Sequence, residues 1–273
     1  MDVVASHAAS LPETDDRWRP SSYPKSELLR ATVEGGMAGV VSHPLDNVLR
    51  HIQLMCDGDP GFQFGLSGLQ GFTPAEVLAL VSEAAGFTPE EGAKEGAFRV
   101  EAERILDACA SVGKRLAGAC RKRERMILGT GHPHGLILLY AEVGRELEDR
   151  GVELLRPLEG ESFEEDGTDG LRVEYLRGVA MLTDGSKAKH THSGESMRRM
   201  IGAVRPDLVL ADHGFAGSAI ESGIETLSVA DVNDPALLVA KAQGRTERVI
   251  VMDDNVRPES YWPCFQEIVA KLP

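Results

Sequence analysis

The sequence has little cysteine and few aromatic residues, and it contains no long apolar run. Its four cysteines are scattered and form no CxxC pair, which disfavours a zinc-type cysteine site and is typical of reduced thiols in the cytosol. The most apolar stretch, residues 136–143, is far shorter than the roughly 20 residues that a membrane helix needs. The first residues include Asp2 and lack a basic leader, so we expect no signal peptide. We therefore expect a cytoplasmic protein without a membrane partner.

Basic residues are also in deficit, with 29 Lys and Arg against 43 Asp and Glu, which gives a formal net charge of -14. A protein that binds nucleic acid by neutralising its phosphates needs clustered Lys and Arg, so we expect no nucleic-acid partner. Several catalytic signatures are missing as well, namely GxSxG, HExxH and Walker A. The hydrophobic fraction of 42% and charged fraction of 26% are ordinary for a globular protein.

Three regions differ in their residue patterns. Residues 1–24 are rich in Pro, Ser and acidic residues, which predicts a flexible arm. Residues 25–123 have helical periodicity, with a clear helix start where Thr73 and Glu76 flank a proline, and we expect a helical cap region. Residues 124–273 alternate short apolar strands with helices. That alternation predicts a doubly wound, mostly parallel α/β sheet of Rossmann-like type, as the catalytic domain.

A glycine-rich segment, residues 58–71, joins two of the N-terminal helices and carries Phe62 and Phe64. It is either an irregular connector or a lid, because closing loops often hinge on such flexible segments.

Polar clusters occupy the predicted carboxyl ends of successive strands, where an open α/β sheet binds its ligands. Five of the eight histidines lie in them. The clusters span residues 129–135, 189–195, 212–214, 231–234 and 253–255. We therefore expect their side chains to face one shared crevice.

Two of these clusters have features that suit a phosphate group. Each precedes a helix, so free backbone N–H groups and the positive end of the helix dipole face an anion there. The residues predicted to bind substrate or phosphate are Gly131, His132, His134, His192, Ser193, Gly194, Asn233 and Asn255.

Carboxylates end three successive strands, which is more than helix capping alone requires. Such oxygens suit a hard divalent cation of the Mg²⁺ or Mn²⁺ class, and they suit general acid–base work equally. The predicted metal ligands are Asp212, Asp231, Asp234 and Asp253. The predicted catalytic residues are Asp212, His213 and Asp231. Gly214 and Gly217, just beyond them, predict a close approach of the backbone to a ligand.

Two other functions stay open at this point. The loop from Gly129 to Gly135 is one residue longer than the dinucleotide fingerprint, and Arg156 lies where a 2′-phosphate would be read, which suits an NADP-linked oxidoreductase. A non-enzymatic protein that binds a phosphorylated metabolite would use the same residues without turnover.

Three segments carry a resemblance to a known family: residues 129–140, 212–217 and 231–234. They resemble a family of actinobacterial proteins described as phosphatases, and the similarity extends over most of the chain. The resemblance implies a soluble phosphohydrolase, with some members acting in antibiotic or nucleoside pathways. We therefore expect hydrolysis of a small phosphomonoester, either a sugar phosphate or a nucleoside phosphate. The expected partner is that small phosphorylated metabolite, with homo-oligomerisation left open.

Overall fold

The computed structural model describes residues 15–89, 96–165 and 167–273. Most of the predicted arm, residues 1–14, lies outside the described residues. The rest of the arm contacts the last helix of the chain: the buried Trp18 packs on Phe265 at 5.4 Å between ring centroids, and Tyr23 packs on Trp262 at 5.0 Å. Aromatic contacts of this kind hold the segment after residue 14 against the body of the protein.

The strands follow in chain order. They are β1 (Gly39–Pro44), β2 (Ala97–Val100), β3 (Arg125–Thr130), β4 (Glu153–Leu154), β5 (Ser162–Glu165), β6 (Thr168–Leu176), β7 (Val179–Thr183), β8 (Leu208–Asp212), β9 (Thr226–Asp231) and β10 (Arg248–Met252).

The helices are α1 (Lys25–Glu34), α2 (Leu45–Cys56), α3 (Pro60–Gln63), α4 (Pro74–Ala85), α5 (Ala102–Lys122), α6 (Pro133–Glu148), α7 (Glu195–Ala203), α8 (His213–Glu221), α9 (Ala236–Ala242) and α10 (Trp262–Val269). None of the helices in the described part of the chain has the length and apolar character needed to cross a membrane.

The main sheet has the order β10-β9-β8-β3-β7-β6-β5, and β4 pairs with the beginning of β3. The strands from β10 to β7 in this order are parallel, and β6 and β5 continue the sheet in antiparallel pairing. Every residue of β8 and β9 is buried, as expected for central parallel strands covered on both faces. The prediction of a doubly wound, mostly parallel α/β sheet is confirmed.

Two groups of helices pack against this sheet. In one group α5 and α6 both contact α10, and in the other α8 contacts α7 and α9. The long helix α5 also packs on strand β10, so the last helix of the predicted cap region lies directly on the sheet. The division at residues 123 and 124 into cap and catalytic domain stays a prediction.

The segment between residues 25 and 123 is not entirely helical. Strands β1 and β2 pair there as a small antiparallel sheet, so the purely helical prediction is wrong at these two places. The helix start at Thr73 is confirmed, because the Thr73 side chain accepts from the Glu76 backbone N–H while the Glu76 carboxylate accepts from that of Thr73.

Strand β3 is the point at which the chain changes direction across the sheet. The strand order runs from β3 to β7 on one side and from β3 to β8, β9 and β10 on the other. A crevice opens at such a switch point, outside the carboxyl ends of the strands. The loop after β3 and the loop after β8 therefore meet at this crevice.

The packing of α5 on α10 generates a test of the fold. A Cβ at Gly113 would lie 2.4 Å from the Ile268 carbonyl oxygen of α10, whereas a Cβ at Gly118 would meet the guanidinium groups of Arg115 at 3.6 Å and Arg121 at 3.9 Å, both in ordinary contact. We expect Gly113→Ala to lower the free energy of unfolding by about 1–3 kcal/mol through overpacking. The matched variant Gly118→Ala is expected to raise it by up to about 1 kcal/mol through helix propensity. Urea unfolding of both variants checks this, and equal stabilities would contradict the packing.

Candidate active site

The crevice between β3 and β8 is organised by the carboxylate of Asp212, which is fully buried. Its Oδ1 atom accepts hydrogen bonds from the backbone N–H groups of Gly131 at 2.8 Å and His132 at 3.1 Å. The same oxygen lies 2.9 Å from Nδ1 of His213. Since a carboxylate accepts, Nδ1 of His213 carries the hydrogen and its Nε2 faces the crevice.

His213 is constrained in two further ways. Its φ of 45° lies in the left-handed region, where residues other than glycine are uncommon and are often functional. Burial by itself lowers the pKa of His213, but hydrogen bonds to Asp212 and Asp234 outweigh burial and raise that pKa well above its usual value. The backbone strain and the carboxylates together hold this ring in one orientation.

Three ligand-type atoms surround Nε2 of His213. They are Asp234 Oδ2 at 3.2 Å, His190 Nε2 at 3.4 Å and Asp254 Oδ2 at 4.0 Å. Two imidazole nitrogens that approach this closely cannot both carry a hydrogen toward each other. The space between them suits a shared cation.

His192 reaches the same place from the segment before α7. Its Nδ1 donates to the Gly61 carbonyl at 2.7 Å, so Nε2 is the ring nitrogen that a cation in the cavity would use. An imidazole that donates its second nitrogen to a carbonyl is the usual arrangement of a metal-binding histidine. Phe64 lies against the rings of both His192 and His213, at 5.0 and 5.4 Å between centroids. The glycine-rich segment therefore forms a wall of the site, and its role as a lid stays a prediction.

His132 and His190 stack on each other with 4.8 Å between ring centroids. Nδ1 of His132 lies 3.2 Å from Asp254 Oδ1, and this carboxylate raises the pKa of His132 against the lowering effect of burial. Burial, followed by the neighbouring imidazoles of His213 and His132, lowers the pKa of His190 to about 4. His190 therefore presents a neutral ring, as a metal ligand must.

The carboxylates of the site are buried and close together. Burial raises the pKa of Asp231 well above its usual value, and the neighbouring charges of Asp254, Asp234 and Asp253 raise it further. Burial also opposes ionisation of Asp254, but the imidazoles of His132 and His213 lower its pKa to about 2. Without a cation, Asp254 is thus ionised while Asp231 tends to keep a proton.

Among the described residues, three groups of side chains have their ligand atoms within 4.8 Å of one another: His190 with His192 and His213, His132 with His213 and Asp254, and His43 with Asp231 and Asp253. Several buried polar atoms here have no hydrogen-bond partner among the described residues, including His132 Nδ1, Asp254 Oδ2 and His43 Nε2. Converging donors that find no hydrogen-bond partner fit a bound cation.

All of these side chains except Asp253 line one cavity of about 330 Å³. Its lining includes seven of the residues predicted from the sequence, which are His132, His192, His213, Asp231, Asn233, Asp234 and Asn255. Ser193 and Gly194 line a neighbouring cavity of about 620 Å³, which shares His192 with the first.

The other predicted residues lie elsewhere. Asp212 and Gly131 lie behind the cavity, where the Gly131 backbone N–H donates a hydrogen bond to the Asp212 carboxylate. Asp253 accepts from the backbone N–H groups of Ser42 at 2.5 Å and Asn255 at 2.9 Å, one on each oxygen. His134 is exposed on the first turn of α6 and does not line the cavity.

Sequence reasoning left four cavity residues out of the predicted site: His43, His51, His190 and Asp254. His190 and Asp254 belong to two of the predicted polar clusters, but the sequence did not show that these members of the clusters would face the cavity. His43 and His51 come from β1 and α2, where helical periodicity gave no functional signal.

Gly214 and Gly217 serve packing of the chain on itself. A Cβ at Gly214 would lie 2.2 Å from the His192 carbonyl oxygen, and one at Gly217 would lie 2.0 Å from that of Phe64. The close approach predicted at these glycines thus brings the segments that carry His192 and Phe64 onto α8.

Comparison with known proteins identifies the family of this chain. The family model described as Phosphatase matches residues 24–272. Phosphatase SCO2771 of Streptomyces coelicolor (strain ATCC BAA-471 / A3(2) / M145) is 32% identical over 250 residues, which is 89% of this chain and 94% of that protein. No solved structure was found to match the chain. With a match over nearly its whole length, the chain belongs to the Phosphatase family and is a phosphatase hydrolase.

Proposed function

We propose that this phosphatase is metal-dependent and hydrolyses a small phosphomonoester, either a sugar phosphate or a nucleoside phosphate. The observation that carries the proposal is the convergence of His190, His192 and His213 on a few ångströms of the cavity beside Asp234 and Asp254. Family membership gives the reaction class, and this convergence supports the metal requirement.

The imidazoles of His190, His192 and His213, with His132 and the two carboxylates of Asp234 and Asp254, would hold the cation. A divalent metal there supplies Lewis-acid polarisation of the phosphoryl group and a water of lowered pKa. Imidazole ligands are less suited to Mg²⁺, which prefers oxygen donors, so the mixed donor set favours Mn²⁺ within the predicted class.

Three other predicted residues, Asp212, Asp253 and Asp231, lie around the proposed metal centre. Asp212 fixes the tautomer of His213, and Asp253 fixes the loop that follows β10, so we assign both to positioning rather than to direct ligation. Asp231 faces the cavity, where a cation would favour its ionised form against the burial and the neighbouring carboxylates that raise its pKa.

The dimensions of the site support a small substrate. The cavity of about 330 Å³ is at the lower end of small-molecule sites, and the adjoining cavity of about 620 Å³ offers space for the alcohol part of the ester. Ser193 and Gln63 line that second cavity and present hydroxyl and amide groups, which suit a hydroxylated leaving group.

The NADP alternative has little geometric support. The N–H groups of Gly131 and His132 already donate to Asp212, so they are not free to cradle a pyrophosphate. Arg156 lines a different cavity together with Arg145 and Arg177.

Removal of the metal is the first test. We expect chelation followed by desalting to abolish phosphate release from a panel of sugar and nucleoside phosphates, because the described lining of the cavity contains no lysine or arginine that could replace the cation. Added Mn²⁺ is expected to restore the rate more fully than Mg²⁺, with bound metal measured by elemental analysis. Full turnover by metal-free protein would refute the proposal.

Single ligand substitutions provide the second test. His192→Ala and His213→Ala are each expected to lower bound metal and to reduce kcat by at least about 100-fold, since each removes an imidazole from the centre. His134→Ala is the matched histidine control on the exposed side of α6 and is expected to retain kcat/KM within about twofold. A large loss in the His134 variant would return that residue to the phosphate site predicted from the sequence.

Asp212→Asn tests the role of the buried carboxylate. The amide keeps one oxygen for the Gly131 and His132 N–H groups but holds His213 less strongly. We expect the fold to persist by circular dichroism while metal affinity falls by about 10–100-fold, as for other residues that orient a metal ligand. Unchanged affinity in a titration with Mn²⁺ would show that Asp212 does not act through His213.

A further inference from the structure

A series of hydrogen bonds beside the cavity determines which ring nitrogen of His43 carries a hydrogen. It begins at the backbone carbonyl of Asn233, which lies 3.1 Å from Nδ1 of His51. A carbonyl oxygen only accepts, so Nδ1 of His51 must carry a hydrogen. This starting point does not depend on how any side-chain amide is oriented.

The next links follow from the first. Burial lowers the pKa of His51, so the ring is neutral and its Nε2 is an acceptor. Asn47 lies 3.3 Å from that nitrogen and must offer its NH₂ group, which turns its Oδ1 toward Asn233. The NH₂ group of Asn233 donates to this oxygen at 2.9 Å.

The series ends on His43. The second hydrogen of the Asn233 amide points to Nδ1 of His43, at 3.1 Å. That nitrogen is therefore an acceptor, and the hydrogen of the neutral His43 ring is on Nε2. Nε2 lies 2.9 Å from Asp231 Oδ2 but has no aligned hydrogen-bond partner among the described residues.

This assignment changes the interpretation of the group formed by His43, Asp231 and Asp253. The spacing of its atoms is that of a metal site. However, His43 in this tautomer has no lone pair at Nε2 to give to a cation, which leaves the group without its imidazole ligand. A cation would therefore be held by the other histidines, and His43 is left as an N–H donor on the wall of the same cavity.

We propose that His43 donates a hydrogen bond from neutral Nε2–H to a phosphoryl oxygen of the substrate, and that His51, Asn47 and Asn233 are positioning residues for it. The inference rests on the proposed phosphatase site and adds a substrate-binding group from the N-terminal part of the chain. A fixed donor of this kind stabilises developing charge on oxygen without transferring its proton.

Two variants of His43 separate a donor from a metal ligand. His43→Leu removes the N–H and is expected to lower kcat by about 100- to 1000-fold, the usual loss for one such donor. His43→Gln keeps an N–H donor and is expected to recover at least tenfold of that loss. Both variants are expected to bind as much Mn²⁺ as the unaltered protein by elemental analysis. Loss of bound Mn²⁺ in both would overturn the inference in favour of ligation.

The tautomer can also be measured on the unaltered protein, which avoids any question of misfolded variants. A long-range ¹H–¹⁵N correlation spectrum of protein saturated with diamagnetic Mg²⁺ distinguishes protonated from unprotonated ring nitrogens. We expect His43 to be protonated at Nε2 alone, and Asn47→Leu, which breaks the series of hydrogen bonds, to weaken that preference. Protonation at Nδ1 would overturn the inference whatever the activity, whereas an absence of phosphate release with every metal would overturn the proposed function instead.

Discussion

One carboxylate oxygen, Oδ1 of Asp212, joins the two central strands of the sheet at the point where the active site begins. It accepts the N–H groups that follow β3 and fixes His213 at the start of α8, in a conformation that the backbone would not adopt freely. Because the oxygen is fully buried, these bonds are not exchanged with water. The position of the whole histidine cluster depends on this junction.

The buried carboxylates beside this cluster raise the electrostatic free energy of the folded protein, and the function requires them. Asp231, Asp234, Asp253 and Asp254 are all nearly inaccessible, and the described residues that line the cavity include no lysine or arginine. Buried charges cost several kcal/mol each unless they are paired. Imidazoles compensate part of this cost, and a cation would compensate the remainder. The site is therefore organised for binding at the expense of stability.

The sequence predicts the sheet and the edge that carries the site, because buried apolar strands that end in polar clusters are typical of the ligand-binding edge of an α/β sheet. The sequence does not show which of two neighbouring polar residues faces the site. Asp253 and Asp254 are adjacent, yet one secures the backbone and the other faces His132. His132 and His134 flank a proline, and only the first lies inside, since α6 begins between them.

The contribution of β1 and α2 was beyond sequence reasoning for a different reason. His43 and His51 have no motif around them, and their function depends on a contact with Asn233 that only the tertiary fold creates. Hydrophobic periodicity reports on residues that are close together in the sequence. It carries no information about contacts between residues that are far apart in the sequence.

The hydrogen bond between His43 and Asn233 joins residues 190 positions apart. During synthesis, His43 and His51 can therefore form their contacts with Asn233 only after β9 has left the ribosome. Contacts of such large sequence separation form late and slow the search for the native state. A ribosome-bound nascent chain that ends before β9 would thus have the beginning of the catalytic pocket without the residues that complete it.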